Sequence, residues 1–351
     1  MVLNIVSGKG GSGKTLLCAV LAEMLGNNGN KVVVIDMDFA VRGLTALLYY
    51  YQGETYHIIN NNKCGTYDYF ESKDSHKENY LARNIGIAKY RSFDVIPAVQ
   101  EINRIVRLKA EQNEYNYADK LSDLLRYLEF EHQYDYIIFD CRAGYDVLNE
   151  ALHNIANFTI CIQEEDLISE ITTLNLVRQF EGLSRKPIFR LVNKSRLYVN
   201  KVNIDKRISD VTLLGHIPFD MDVLDNFGKS YFWSKMEQTL YYSAIADIWN
   251  TFALKVNIPE RVRVHRFSPI PFEHMERKLG MYSSFKRVII VFTLITGVFG
   301  ILLGIFGFQE LSKFMSNNVE QTISFIVGLI CLLVAILFMI IPTSTPNKYV
   351  S

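Results

Sequence analysis

Short apolar runs alternate with longer stretches of helical spacing over the first 255 residues. Val2, Leu3, Ile5 and Val6 make one run, and Val32 to Ile35, Phe93 to Ala98, Tyr136 to Phe139, Ala156 to Ile162, Pro187 to Asn193 and Val211 to Ile217 make others. Near-continuous apolar runs of this length, without a polar face, are expected of strands buried on both sides. Between them, Leu16 to Leu21, Glu101 to Glu131, Leu167 to Gly182 and a stretch ending near Ala253 read as helices. In the second of these, Leu121, Leu124, Leu125 and Leu128 share one stripe. Strand and helix in alternation predict an α/β fold, a mainly parallel sheet covered by helices on both faces with right-handed crossovers. A ligand is then expected at the carboxyl edge of the strands. From Tyr49 to about Arg91 the periodicity weakens, and this stretch reads as an insertion, either packed locally or offered to a partner.

The pattern changes after residue 258. No charged residue occurs from Val288 to Phe308 or from Thr322 to Ile341. Each run is long enough for a helix to cross a hydrocarbon layer of roughly 30 Å, so a transmembrane α-helical hairpin is expected over residues 288–341. Residues 259–287 form a connector. From Glu260 to Arg287 it has seven basic residues (Arg261, Arg263, Arg266, Arg277, Lys278, Lys286 and Arg287) and three acidic ones (Glu260, Glu273 and Glu276). Positive flanks stay on the cytoplasmic side and favour anionic headgroups, which places residues 1–258 and both termini in the cytoplasm. Gly297, Gly300, Gly304 and Gly307 share a helix face that suits close helix packing. The spans hold no ionisable residue, which argues against a proton relay.

The chemistry is concentrated at strand ends. Gly8-Lys9-Gly10-Gly11-Ser12-Gly13-Lys14-Thr15 follows the first strand and precedes the first helix. That spacing fits G-x-x-x-x-G-K-[ST], in which inward-facing backbone N–H groups and the lysine cradle phosphates and the hydroxyl meets Mg²⁺. Gly10, Gly11, Ser12, Gly13, Lys14, Thr15 and Leu16 are therefore candidate nucleotide-binding residues. Asp36 and Asp38 end the second strand, and Asp140 ends the strand that begins at Tyr136. Asp140 there fits the pattern of a carboxylate that holds Mg²⁺ through water.

Lys9 ahead of the glycine pair makes the loop K-G-G-x-G-K-T, and at this point the chain resembles the MinD/ParA group of P-loop ATPases. The likeness covers roughly residues 1 to 255. It implies ATP and Mg²⁺ as cofactors, a homodimer that sandwiches ATP, and a catalytic Lys9 that reaches the other copy's nucleotide. It also implies that Asp38 orients the attacking water, that Asp36 lies near the Mg²⁺ shell beside Thr15 and Asp140, and that Asn193 and Pro218 sit at the adenine. His216 falls at a variable position of the L-G-x-I-P segment and reads as structural. Two positions depart from the group. Gly43 stands where asparagine is expected, which bears on hydrolysis more than on binding. Arg142 stands where proline is usual and could face a phosphate, a partner subunit or Asp140.

Charge and cysteines narrow the classes. Thirty-seven basic residues balance 37 acidic ones, so nothing in the net charge calls for nucleic acid. Five cysteines make no C-x-x-C pair and read as reduced thiols. The reading that follows is an integral protein of the bacterial inner membrane whose ATPase domain switches a protein partner or a membrane assembly. An ATP-gated pore, acting in stress or defence, is the alternative. A bacterial tyrosine kinase fits less well, because those proteins place their spans before the kinase domain.

Overall fold

The computed structural model describes residues 1–52, 63–71, 82–101, 114–195, 211–227, 229, 231–258 and 262. These residues lie in the first of two compact units, Met1–Ser268. The two uncharged runs at 288–308 and 322–341, most of the 259–287 connector and residues 102–113 of the long expected helix fall outside them. Among the described residues no helix is long and apolar enough to cross a membrane.

Eight strands form one sheet: β1 (Val2–Ser7), β2 (Val32–Asp36), β3 (Ala88–Tyr90), β4 (Phe93–Ile96), β5 (Tyr136–Ala143), β6 (Phe158–Glu164), β7 (Ile188–Ser195) and β8 (Thr212–Pro218), in the order β3-β4-β2-β5-β1-β6-β7-β8. All pairings are parallel except β3 with β4. The helices are α1 (Lys14–Asn27), α2 (Gly43–Gln52), α3 (Thr66–Glu71), α4 (Glu114–Arg126), α5 (Val147–Ile155), α6 (Leu167–Leu183), α7 (Met221–Asn226), α8 (Phe232–Met236) and α9 (Leu240–Lys255).

The two-residue alternation of a strand divides the core into two layers. Leu3 and Ile5 of β1 pack with Leu17 and Leu21 of α1 and Trp249 and Phe252 of α9. Val2 and Val6 pack on the other face with Leu121 of α4, Leu152 of α5 and Phe180 of α6. Of the predicted leucine stripe, Leu121, Leu124 and Leu128 are buried, and Leu125 packs partly buried at its border. Helix α1 is buried on nearly every side, and its one buried acid, Glu23, accepts from Arg91 Nε at 2.6 Å and Ser92 Oγ at 2.6 Å. Those two residues turn the β3–β4 hairpin, so an ion pair joins the sheet's edge to its central helix.

The stretch beginning at Tyr49 is more integrated than its lack of periodicity suggests. β3 lies inside it, and Tyr69 and Phe70 of α3 are buried in the core against Phe39 and Tyr117. Their period is hidden because α3 has only six residues, fewer than two turns. At the other end the packed body passes residue 258: Val262 is buried, and its N–H and C=O bond Asn250 Oδ1 and Nδ2 at 3.0 and 3.1 Å.

A buried polar line crosses the second layer. Asn4 Nδ2 donates to Thr159 Oγ1 at 3.4 Å, Thr159 Oγ1 lies 2.8 Å from His153 Nδ1, and His153 Nε2 lies 2.9 Å from Ser184 Oγ. Burial, with Lys186 adding to it, lowers the His153 pKa to about 4. In the unfolded chain the same imidazole titrates near 6.5, so between those values the unfolded state binds more protons and stability falls as pH falls. His153→Gln is expected to remove about one proton's worth of that slope, up to about 1.4 kcal/mol per pH unit between pH 6.5 and 4. Urea unfolding of both proteins at pH 7, 6, 5 and 4 reads it, and parallel pH dependences would refute the assignment.

Candidate nucleotide site

The sheet brings the predicted chemistry to one edge. β1 lies between β5 and β6, and Asp36 is level with Asp140 across the β2–β5 pairing. The glycine loop leaves β1 at Ser7 and enters α1, whose N-cap, Gly13, has φ +88°. A left-handed residue there costs glycine nothing. The first turn of a helix leaves its amides without intrahelical acceptors, here those of Lys14, Thr15 and Leu16. Lys14 is 8% exposed and donates to Ser7 Oγ at 3.0 Å, while Ser7 Oγ donates to the Lys9 carbonyl at 2.8 Å.

Thr15 Oγ1 donates to Asp140 Oδ2 at 2.7 Å. The other oxygen, Asp140 Oδ1, is buried without a hydrogen-bond partner, and so is Ser12 Oγ. A Cβ built on Gly10 or Gly11 would meet no atom within 4 Å, so the space beside these two glycines is open. An orphaned carboxylate oxygen beside a hydroxyl and a glycine loop suits Mg²⁺ with a phosphate, since Mg²⁺ keeps waters and takes substrate oxygens instead of a full protein cage. Among the described residues no three acidic, histidine or cysteine side chains converge as a metal cage. Burial raises the pKa of Asp140 and of Asp36; hydrogen bonding from Thr15 and the charge of Lys14 work against it at Asp140.

Asp36 and Asp38 hold the turn into α2. Asp36 Oδ2 accepts from Thr45 N at 2.8 Å and Thr45 Oγ1 at 2.7 Å, and Oδ1 accepts from Asp38 N at 3.1 Å. Asp38 Oδ1 accepts from Val41 N at 3.0 Å. Asp36 thus lies beside Asp140 with both oxygens engaged by the chain, and Asp38 stands half-buried near Asp140. Gly43 opens α2 so close to the glycine loop that a Cβ would lie 2.9 Å from Thr15 Oγ1. A side chain at this position would therefore crowd Thr15.

The end of β7 grips the same loop from behind. Asn193, 2% exposed, donates from Nδ2 to the Ser12 carbonyl at 2.7 Å, and its Oδ1 accepts from Lys194 N at 2.9 Å. Its amide thus holds the loop in this structure. Lys194, at φ +55°, donates from Nζ to the Gly11 carbonyl at 2.7 Å and to Glu164 Oε1 at 2.5 Å. Pro218 ends β8 level with Ser195, and His216 Nδ1 lies 3.2 Å from Ser195 Oγ, a structural contact.

Lys9, expected to act across two copies, is held within its own chain here. Its Nζ lies 3.1 Å from Glu164 Oε2 and 3.2 Å from Asp166 Oδ2, and these carboxylates, Glu164 foremost, raise its pKa. Arg142 has an exposed side chain, and its carbonyl accepts from Asn149 Nδ2 at 3.1 Å. The same Asn149 amide donates to the Gly144 carbonyl at 2.7 Å, while Gly144 N donates to Ser7 O at 2.8 Å. Asn149, Glu164, Asp166 and Lys194 are the site residues that sequence reasoning missed. The acidic run before α6, with Asp166 placed to cap it, was the available signal.

Residues 1–185, more than half of the chain, match the family model described as AAA domain. The septum site-determining protein MinD of Synechocystis sp. is 28% identical over 236 residues, 65% of this chain and 79% of that protein. Among solved structures, a chain of the MinC:MinD cell division protein complex of Aquifex aeolicus superposes with TM-score 0.56 at 19% identity, covering 76% of this chain and 99% of that one. MinD of Pyrococcus horikoshii complexed with Mg-ADP superposes with TM-score 0.52 at 19% identity, covering 74% and 99%. A glycine loop, Lys14, Thr15 and Asp140 gathered at the carboxyl edge of a parallel sheet agree with these likenesses: the chain belongs to the AAA domain family, and its fold is that of the MinD/ParA-type P-loop ATPases.

Proposed function

We propose that this chain is a membrane-anchored ATPase switch. Mg-ATP binds the glycine loop of residues 1–258, two copies close around the nucleotides, and hydrolysis lets them part, altering a protein partner or a membrane assembly. The observation that carries the reading is the Thr15–Asp140 pair at 2.7 Å, with Asp140 Oδ1 orphaned beside Lys14 and an open loop. The Mg-ADP named with the Pyrococcus protein supports the nucleotide and the cation. Thr15 and, through water, Asp140 would hold Mg²⁺, whose charge offsets the phosphates; Asp36 would support Asp140 from behind.

Lys14 and the amides of residues 10 to 16 bind the phosphates, Asp38 near Asp140 orients water, and Lys9 completes the neighbour's site. Phosphoryl transfer asks mainly for such positioning and charge. Asn193 shapes the loop, and Pro218 at the same edge lies toward the base. The uncharged runs at 288–308 and 322–341, joined by the basic 259–287 connector, would fix the chain in the bacterial inner membrane with its ATPase domain and both termini cytoplasmic. ATP then governs association on the membrane rather than attachment to it.

The test is self-association of the full chain in detergent, read by energy transfer between labelled copies. Dimers are expected with Mg-ATP and not without it, and Lys9→Ala should bind ATP yet remain monomeric. Failure to associate even in an Asp38→Ala form, which retains its nucleotide, would overturn the dimeric switch.

A further inference from the structure

We propose that Thr45 is a positioning residue for hydrolysis: its hydroxyl fixes the Asp36 carboxylate, and Asp36 in turn fixes Asp38. This rests on reading Asp38 as the acid that orients the attacking water, and it names what holds that acid in place.

Thr45 lies in the first turn of α2 and is fully buried, as is Asp36. Its N–H and its Oγ1 both donate to Asp36 Oδ2, at 2.8 and 2.7 Å, while Asp38 N donates to Oδ1 at 3.1 Å. Both ends of the segment from Asp38 to Thr45 are therefore tied to the two oxygens of one planar carboxylate. Turning that group to suit one end withdraws it from the other. Asp38 is otherwise held locally, its Oδ1 accepting from Val41 N at 3.0 Å and its carbonyl from Arg42 N at 2.7 Å. Asp36 is what refers this local turn to the sheet.

The hydroxyl is itself fixed from the opposite side. Thr45 Oγ1 accepts from Ala98 N at 2.8 Å, just past the end of β4, so its one proton is left for Asp36. The Asp36 backbone is anchored as well, its carbonyl accepting from Thr66 Oγ1 at 2.5 Å, and Thr66 N donates to the Pro97 carbonyl at 3.0 Å. What remains free in Asp36 is rotation of its side chain, and Thr45 removes it. The restraint has an electrostatic reason: Asp36 is level with Asp140 across the β2–β5 pairing, and two buried carboxylates repel. Without the hydroxyl, Asp36 would turn from Asp140 and the Asp38 amide would lose its acceptor.

Thr45→Val keeps the shape of the side chain and removes the hydroxyl. In the full chain with saturating Mg-ATP, it is expected to lower kcat for phosphate release about tenfold or more, the usual effect of losing an outer-shell partner. KM for ATP should stay within about twofold, because no phosphate contact changes. Thr45→Ser loses the methyl and keeps the hydroxyl, and should hold kcat within about threefold of wild type. Should valine prevent folding, Thr45→Ala compared with Thr45→Ser reads the same hydroxyl. Single-turnover phosphate release from Asp38→Ala is the second test: with Asp38 gone, adding Thr45→Val should change the residual rate by less than about twofold. An unchanged kcat in Thr45→Val, a serine variant that falls as far as valine, or a valine that slows Asp38→Ala as much as it slows wild type overturns the positioning role alone. A wild-type chain that binds Mg-ATP and releases no phosphate overturns the ATPase reading, and this role with it.

Discussion

Lys14→Met is expected to lower ATP hydrolysis by about 10²–10³-fold and to weaken nucleotide binding, with the fold intact. Removing one preorganised charge from a phosphoryl-transfer site has effects of this size. Lys14 is nearly buried, and its observed hydrogen bond goes to a neutral hydroxyl, Ser7 Oγ at 3.0 Å. A buried ammonium hydrogen-bonded to a neutral group, with the Asp140 carboxylate near it, gains from a further anion, and the glycine loop beside it is where a phosphate would sit. Methionine keeps the length and apolar bulk of the stem, so loss of activity would report charge and not a cavity. Phosphate release and titration calorimetry read the two effects. Hydrolysis within tenfold of wild type would mean that the phosphates lie elsewhere.

Gly13→Ala is the second large effect, and it strikes fold and site together. At φ +88° an alanine carries roughly 1–2 kcal/mol of backbone strain. Its Cβ would also lie 2.4 Å from Asn193 Nδ2, displacing an amide that holds the Ser12 carbonyl, a hydrogen bond of about 1 kcal/mol. Together these predict about 2–3 kcal/mol of lost stability and at least a tenfold loss of ATP affinity, as the loop's amides turn from their cradle. Gly10→Ala is the control. Its Cβ meets no atom within 4 Å, so stability should hold while the phosphate seat alone is narrowed. Chemical denaturation and nucleotide titration of both variants separate the cases, and equal stability losses at the two positions would refute the account of Gly13.

Much of the domain was legible from periodicity. The apolar runs at residues 2–6, 32–35 and 136–139 are strands because a strand buried on both faces needs no polar alternation. The helix of residues 167–183 was legible because its buried side chains recur at helical spacing over several turns. β3 and α3 were missed because three and six residues are too few to establish a period. The glycine loop between β1 and α1 was legible for a different reason: its pattern is a fixed local spacing of glycines and lysine, written in consecutive residues.

What the sequence determined by itself is therefore local: the succession of strands and helices, the loop from Gly8 to Thr15, and the acids at strand ends. What only the tertiary structure decided is the set of partners drawn from distant positions. Lys9 meets Glu164 at a separation of 155 residues, and Lys194 meets Gly11 at 183. Asn193 turns to the loop, and α2 closes on Thr15 at Gly43. Helical and strand periodicities reach only a few residues along the chain, whereas these contacts exist because β1 is threaded between β5 and β6, with β7 on the far side of β6. Strand order is settled by the packing of whole layers, and no stretch of residues states it alone.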